Sequence, residues 1–130
     1  MPVELGMRGR AAAVAAEEDT ARALGSGTVP VLATPRMIAL MEQAAVNAVQ
    51  SELLPGQTTV GTRLDVTHDA ATPLGMRVWA EAELIAAEGR RLTFSVTAYD
   101  EAGKIGGGTH ERFVIQTDKF LARTQAKWKQ

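Results

Sequence analysis

Three polar side chains stand where packing alone does not call for them: Thr34, Glu42 and His68. Thr34 sits in Val31-Leu32-Ala33-Thr34-Pro35, at the head of an apolar stretch. Glu42 lies two turns further on, between Met41 and Ala44. His68 follows an alternating segment and precedes a loop. A hydroxyl, a carboxylate and an imidazole can together orient and deprotonate water, or serve nucleophilic attack on an acyl carbon. Eight residues of helix turn by about 80° beyond whole turns and rise about 12 Å, so Thr34 and Glu42 share one flank. The first-turn amides beside Thr34 offer donors to a developing oxyanion. Each residue also has a plainer reading. Thr34 is a good helix N-cap, Glu42 fits a solvent face with Gln43, and a strand-end His68 fits the surface. His110, in Gly108-Thr109-His110-Glu111-Arg112, is equally eligible by chemistry.

The element that must position these residues is a long helix from about Pro35 to Glu52. Pro35 suits the first helical position, and Pro55-Gly56 ends the run. Met37, Ile38, Leu40, Met41, Ala44, Ala45, Ala48 and Val49 leave it little polar face, so other structure must wrap it. Thr58 to Thr67 alternates, with Val60, Thr62, Leu64 and Val66 on one face, and reads as a half-buried strand. His68 to Leu74 is a loop. Met76 to Ala86 alternates again, with Met76, Val78, Ala80, Ala82 and Leu84 inward. Leu92, Phe94, Val96 and Ala98 give the cleanest strand, between turns at Glu88-Gly89-Arg90 and Asp100-Glu101-Ala102-Gly103. Lys104 to Gln116 is the last strand, and Gly106-Gly107-Gly108 suggests a bulge or a close backbone approach. Before the helix, the stretch Met7 to Glu18 is read as a strand despite its alanines, because the sheet needs one there and Glu17-Glu18-Asp19-Thr20 is a turn out of it. Thr20 to Leu24 is a short helix, Gly25-Ser26-Gly27-Thr28 a flexible loop, and Asp118 to Trp128 a short polar tail that can be helical.

The expected order is strand, short helix, long helix, then four strands in a meander. The fold class is α+β, a long central helix wrapped by an antiparallel sheet of about five strands, with residues 1–130 forming one hotdog domain. Such a sheet leaves exposed edges, and a homodimer or dimer of dimers is the usual remedy. Composition agrees with an ordinary globular chain, 45% hydrophobic and 22% charged. A net charge of -1 gives no bulk field to recruit nucleic acid or an anionic membrane. The chain has no cysteine, which removes disulfides, thiolate ligands and a cysteine nucleophile. With two histidines and no ligand spacing, no metal and no redox cofactor are expected. No apolar run spans a bilayer and no signal core opens the chain, so the expectation is cytoplasmic.

Three separated motifs carry a resemblance. They are Val31-Leu32-Ala33-Thr34-Pro35 with Ala39-Leu40-Met41-Glu42; Thr58-Thr59-Val60-Gly61-Thr62 with Asp65-Val66-Thr67-His68 and Ala71-Thr72-Pro73-Leu74-Gly75-Met76; and Gly108-Thr109-His110-Glu111-Arg112-Phe113. From about Val31 to Phe120 the chain resembles the fluoroacetyl-CoA thioesterase family of single-hotdog proteins. The resemblance implies an acyl-CoA substrate and a catalytic set of Thr34, Glu42 and His68. It implies substrate binding by Gly61, at the thioester carbonyl, and by Arg112, at the CoA end. The fluoroacetyl enzyme is known for phenylalanines before its central helix that gate the pocket. Leu24-Gly25-Ser26-Gly27-Thr28-Val29 contains none, so the resemblance supports a general thioesterase rather than the fluorine-selective pocket. The rival readings are a hotdog enoyl-thioester hydratase or dehydratase, and a non-catalytic acyl-CoA-binding module.

Overall fold

Residues 3–129 are described by a computed structural model. The elements are β1 (Arg8–Val14), α1 (Ala21–Leu24), α2 (Thr34–Val49), β2 (Gln57–His68), β3 (Arg77–Glu88), β4 (Arg91–Asp100), β5 (Gly103–Gln116) and α3 (Thr117–Gln125). A 3-10 turn, Gln50–Glu52, extends α2 to the expected end. The polar tail is helical through α3. The first strand stops at Val14, and the turn read at Glu17-Glu18-Asp19-Thr20 is a 3-10 turn, Glu17–Asp19. Thr20 caps α1 by accepting from the Ala23 amide at 3.1 Å.

The five strands form one antiparallel sheet in the order β1-β3-β4-β5-β2. The expected meander of four strands is therefore a meander of three, β3 to β5. The stretch between His68 and Arg77 does not turn β2 back onto β3. It carries the chain across to the end of β1, where the Gly75 amide donates to the Ala15 carbonyl and the Ala15 amide to that of Met76. Pro73 bridges to Val31 on the way. β3 is thereby paired with β1, and β2 is left as an edge beside β5.

Met37, Leu40, Met41, Ala44, Ala45, Ala48 and Val49 bury one side of α2. They meet Val78, Ala80, Ala82 and Leu84 of β3, Leu92, Phe94, Val96 and Ala98 of β4, and Ile105 and Val114 of β5. Burying each of the larger side chains contributes about 1.5–3 kcal/mol. The helix lies over β1, β3 and β4 and barely touches β2. Its far side is not wrapped by this chain. Thr34, Ala39, Gln43 and Asn47 are exposed, and Ile38, Glu42 and Val46 are half-buried.

Helix and sheet come closest at Gly9. A Cβ there would lie 2.1 Å from the Ala44 carbonyl oxygen and 2.4 Å from the Ala48 nitrogen. Both are backbone atoms, so no rotamer change relieves the clash. Gly9→Ala is expected to cost about 3 kcal/mol by overpacking, read as a lower urea midpoint. An unchanged midpoint would mean that β1 can retreat from the helix at no cost.

A bulge in β2 decides which residues face the helix. Gly61 pairs with Arg112 and Arg63 with Glu111, leaving Thr62 extra. Its hydroxyl donates to the Glu111 carbonyl at 3.2 Å. The alternation expected for β2 breaks there. Val60 shares the outer face with its partner Phe113, whereas Leu64 and Val66 share the inner face with His110 and Gly108. Because the bulge absorbs one residue, Gly61 and His68 point to the same inner face.

Candidate active site

His68 ends β2 opposite Gly106, whose missing side chain keeps the space between Met37 and the Thr67 backbone open. Its Nδ1 lies 2.7 Å from Thr34 Oγ1. Its Nε2 is buried without a protein partner. The expected capping role of Thr34 gives way to this bond. Ala33 is the N-cap residue, with extended backbone, and Thr34 is the first helical residue. The hydroxyl serves the imidazole instead of the first-turn amides.

The start of α2 is fixed from several sides. The Ala33 amide donates to the Asp19 carbonyl, and the Leu32 amide to that of Thr72. Arg36 Nε pairs with Asp19 Oδ1 at 2.9 Å. Thr72 is itself buried and donates its hydroxyl to Asp100 Oδ2 at 2.7 Å. The connection that follows His68 and the segment that precedes Thr34 are thus tied to one carboxylate.

Further along α2, Glu42 sits beside Gly61, His110 and Arg112. Arg112 Nη1 lies 3.5 Å from Glu42 Oε2; the Glu42 side chain is 40% exposed and that of Arg112 only 7%. The carboxylate is therefore neither buried in an apolar flank nor free in solvent. Arg112 Nε donates to Thr59 Oγ1 at 2.8 Å and Nη2 to the Thr59 carbonyl at 3.0 Å. A Cβ on Gly61 would stand 2.7 Å from Glu42 Oε2 and 3.2 Å from Arg112 Nη1. A side chain there would push the Glu42 carboxylate aside.

His110 is fully buried. Its Nδ1 is 2.8 Å from the Arg63 carbonyl oxygen, and its Nε2 is 3.0 Å from Arg112 Nη1. A carbonyl only accepts and a guanidinium only donates. The ring therefore carries its proton on Nδ1, is neutral, and accepts on Nε2. Burial lowers its proton affinity; the Arg63 carbonyl opposes this, Arg112 adds to it, and Glu42 opposes it again. Burial also lowers that of Arg112, with Glu42 opposing.

The structure joins Thr34 to His68, and Glu42 to Gly61 and Arg112. It does not bring the two groups together, because Thr34 and Glu42 remain about 12 Å apart along the helix. Arg112, expected at the CoA end, has its guanidinium buried against Glu42. Thr59, Thr72, Asp100 and the structural partnership of His110 were not visible in the sequence. For Thr59, Asp100 and His110 the signal was a polar residue at an inward strand position; Thr72, in the connection after β2, offered none. A hollow of about 490 Å³ lies between Arg8, Arg10, Glu81, Glu83 and Thr97, and none of the candidate residues line it.

A long helix laid on a five-stranded antiparallel sheet is the fold of the hotdog thioesterases. Within that class, the chain belongs to the fluoroacetyl-CoA-specific thioesterase family, whose sequence model matches residues 15–118. It is 50% identical to the fluoroacetyl-CoA thioesterase of Streptantibioticus cattleyicolor over 97 residues, which is 75% of this chain and 70% of that one. It superposes on the solved fluoroacetyl-CoA thioesterase FlK with a TM-score of 0.91 at 41% identity, covering 98% of both chains. A single-residue mutant of FlK in complex with fluoroacetate and CoA superposes with a TM-score of 0.85 at 42% identity, covering 91% of this chain and 99% of that one.

Proposed function

We propose that this protein hydrolyses an acyl-CoA thioester to the free acid and CoA, as a homodimer and without metal or redox cofactor. The observation that carries the reading is the 2.7 Å bond between Thr34 and His68, which leaves the second imidazole nitrogen uncommitted. In hydrolysis a water oxygen bonds to the acyl carbon, the C–S bond breaks, and the sulfur leaves as a thiolate that takes up a proton. His68, oriented by Thr34, moves the proton. Glu42, paired with Arg112 across 3.5 Å, is the base or the nucleophile. The amides near Gly61 and at the start of α2 are the donors for the developing oxyanion. Acyl-CoA is the substrate class carried by the family, and the solved FlK mutant complex holds CoA.

What one chain leaves open supports the dimer. β2 is a twelve-residue edge strand, Leu64 on its inner face is 37% exposed, and the far side of α2 is uncovered. A second copy set against these surfaces would cover the edge and complete the separated groups. The reading takes residues 1–130 as one hotdog unit and places it in the cytoplasm. No helix among the described residues is long and apolar enough to cross a membrane. The stretch from Leu24 to Val29 has no phenylalanine, so no phenylalanine gate selects the acyl group there.

The test is thiol release from acyl-CoAs of increasing length, fluoroacetyl-CoA included, with His68→Ala beside the parent. The parent is expected to turn over at least one substrate. His68→Ala is expected to lose about 100-fold or more in kcat, the usual worth of a positioned acid–base group. Full activity in His68→Ala would remove the imidazole from the mechanism. Thiol release from none would shift the assignment to enoyl hydration or to CoA-ester binding.

A further inference from the structure

A chain of polar groups crosses the interior from β2 to α2: the Arg63 carbonyl, His110, Arg112 and Glu42. We infer that His110 is a positioning residue, whose neutral imidazole accepts a hydrogen from Arg112 and thereby aims the guanidinium at Glu42. The inference rests on the thioesterase reading of this site and goes beyond it, because His110 itself has no nitrogen left for substrate.

The guanidinium has five N–H bonds in a rigid plane. Thr59 takes the Nε and Nη2 edge through its hydroxyl and carbonyl. Nη1 is left with two hydrogens and two neighbours, His110 Nε2 at 3.0 Å and Glu42 Oε2 at 3.5 Å. If the acceptor at 3.0 Å is removed, the plane can tip away from the carboxylate. If His110 is protonated instead, an N–H meets an N–H and one cation meets another. Arg112 is then pushed off its aim while Thr59 still holds its other edge. The groups facing the ring are Arg112 on its own strand, Glu42 from α2, the Arg63 carbonyl from β2, and the Phe94 ring from β4 at 6.4 Å. Glu42 is the one acid among them. Burial keeps the ring neutral below its ordinary range, so the aim is lost only in acid, below about pH 6.5.

The test uses the full-length protein labelled with 15N-histidine. The chain has two histidines, and His68→Ala leaves His110 alone in the spectrum. Long-range 1H–15N correlation at pH 7 is expected to show His110 neutral with its proton on Nδ1. A cation, or a proton on Nε2, overturns the inference whether or not the protein hydrolyses any thioester. Kinetics supply the second arm. His110→Leu is expected to lower kcat about tenfold or more with KM little changed. His110→Gln, which restores an acceptor near Nε2, is expected to recover most of that loss. Equal kcat in His110→Leu and the parent, or no recovery in His110→Gln, overturns it. If neither variant folds, the tautomer measurement on the folded protein still decides. If the parent releases no thiol from any substrate, the thioesterase reading fails separately.

Discussion

Glu42→Gln is expected to leave a folded protein that releases thiol at least about 100-fold more slowly than the parent, the low end of what positioned acid–base groups contribute. Glutamine keeps the size of the side chain and an oxygen for Arg112 Nη1. It removes the charge and with it both candidate roles, base and nucleophile. The cost to the fold is small, because the side chain is 40% exposed and faces its partner across 3.5 Å. Partly solvated pairs of this kind are worth at most about 1 kcal/mol. Turnover and stability are therefore expected to separate: kcat collapses and the melting temperature moves by a few degrees at most. A kcat within threefold of the parent would exclude Glu42 from the chemistry and return it to the surface role that its neighbour Gln43 has.

The opposite balance is expected at position 112. Arg112→Met keeps the bulk and removes every donor. The Thr59 carbonyl and His110 Nε2 then lie buried with nothing to accept from, and each such orphan costs about 1–3 kcal/mol. Glu42 also loses its counter-charge. A loss of about 3 kcal/mol in urea unfolding at pH 8 is expected, together with loss of turnover. Arg112→Lys separates charge from shape. An ammonium can face Glu42 but cannot bridge Thr59 and His110 at once, so most of the stability loss should remain. A Lys variant as stable as the parent would mean that the guanidinium fork is not what holds this corner.

The long helix and strands β2 to β4 were legible because their apolar spacing follows the local period of each element, whereas β1 was read against its alanine propensity only because the sheet needs a strand there. Met37 to Val49 could hardly be anything but a buried helix, and Leu92 to Ala98 hardly anything but a strand. Thr34 and Glu42 were legible for the same reason, since helix geometry fixes their relative place. What escaped was whatever depends on partners far along the chain. The pairing of β2 with β5 rather than β3 is set by the Gly75–Ala15 and Pro73–Val31 contacts, and no local pattern announces them. The face of β2 was misread up to Gly61, where Val60 was placed with Leu64 and Val66, because a bulge is an event between two strands. His110 offered the right chemistry, but only the register that sets it beside Arg63 and Arg112 shows that both of its nitrogens are spent. The capping role assigned to Thr34 was sound as propensity. It lost to an imidazole brought in from the end of β2.

The extra residue at Thr62 makes β2 a matter of odd and even. Gly61 and His68 are an odd number of positions apart, which in a regular strand sets two side chains on opposite sides. One surplus residue restores the match. The segment between them is thus constrained in its length more than in its letters. Side chains there can be exchanged freely at solvent positions such as Arg63 and Asp65. A single deletion that heals the bulge would instead turn either the glycine or the imidazole away from the helix, with every other residue of the site intact. Insertions and deletions here would be tolerated in pairs, so a count of residues between this glycine and this histidine tests whether a related sequence can build the same site.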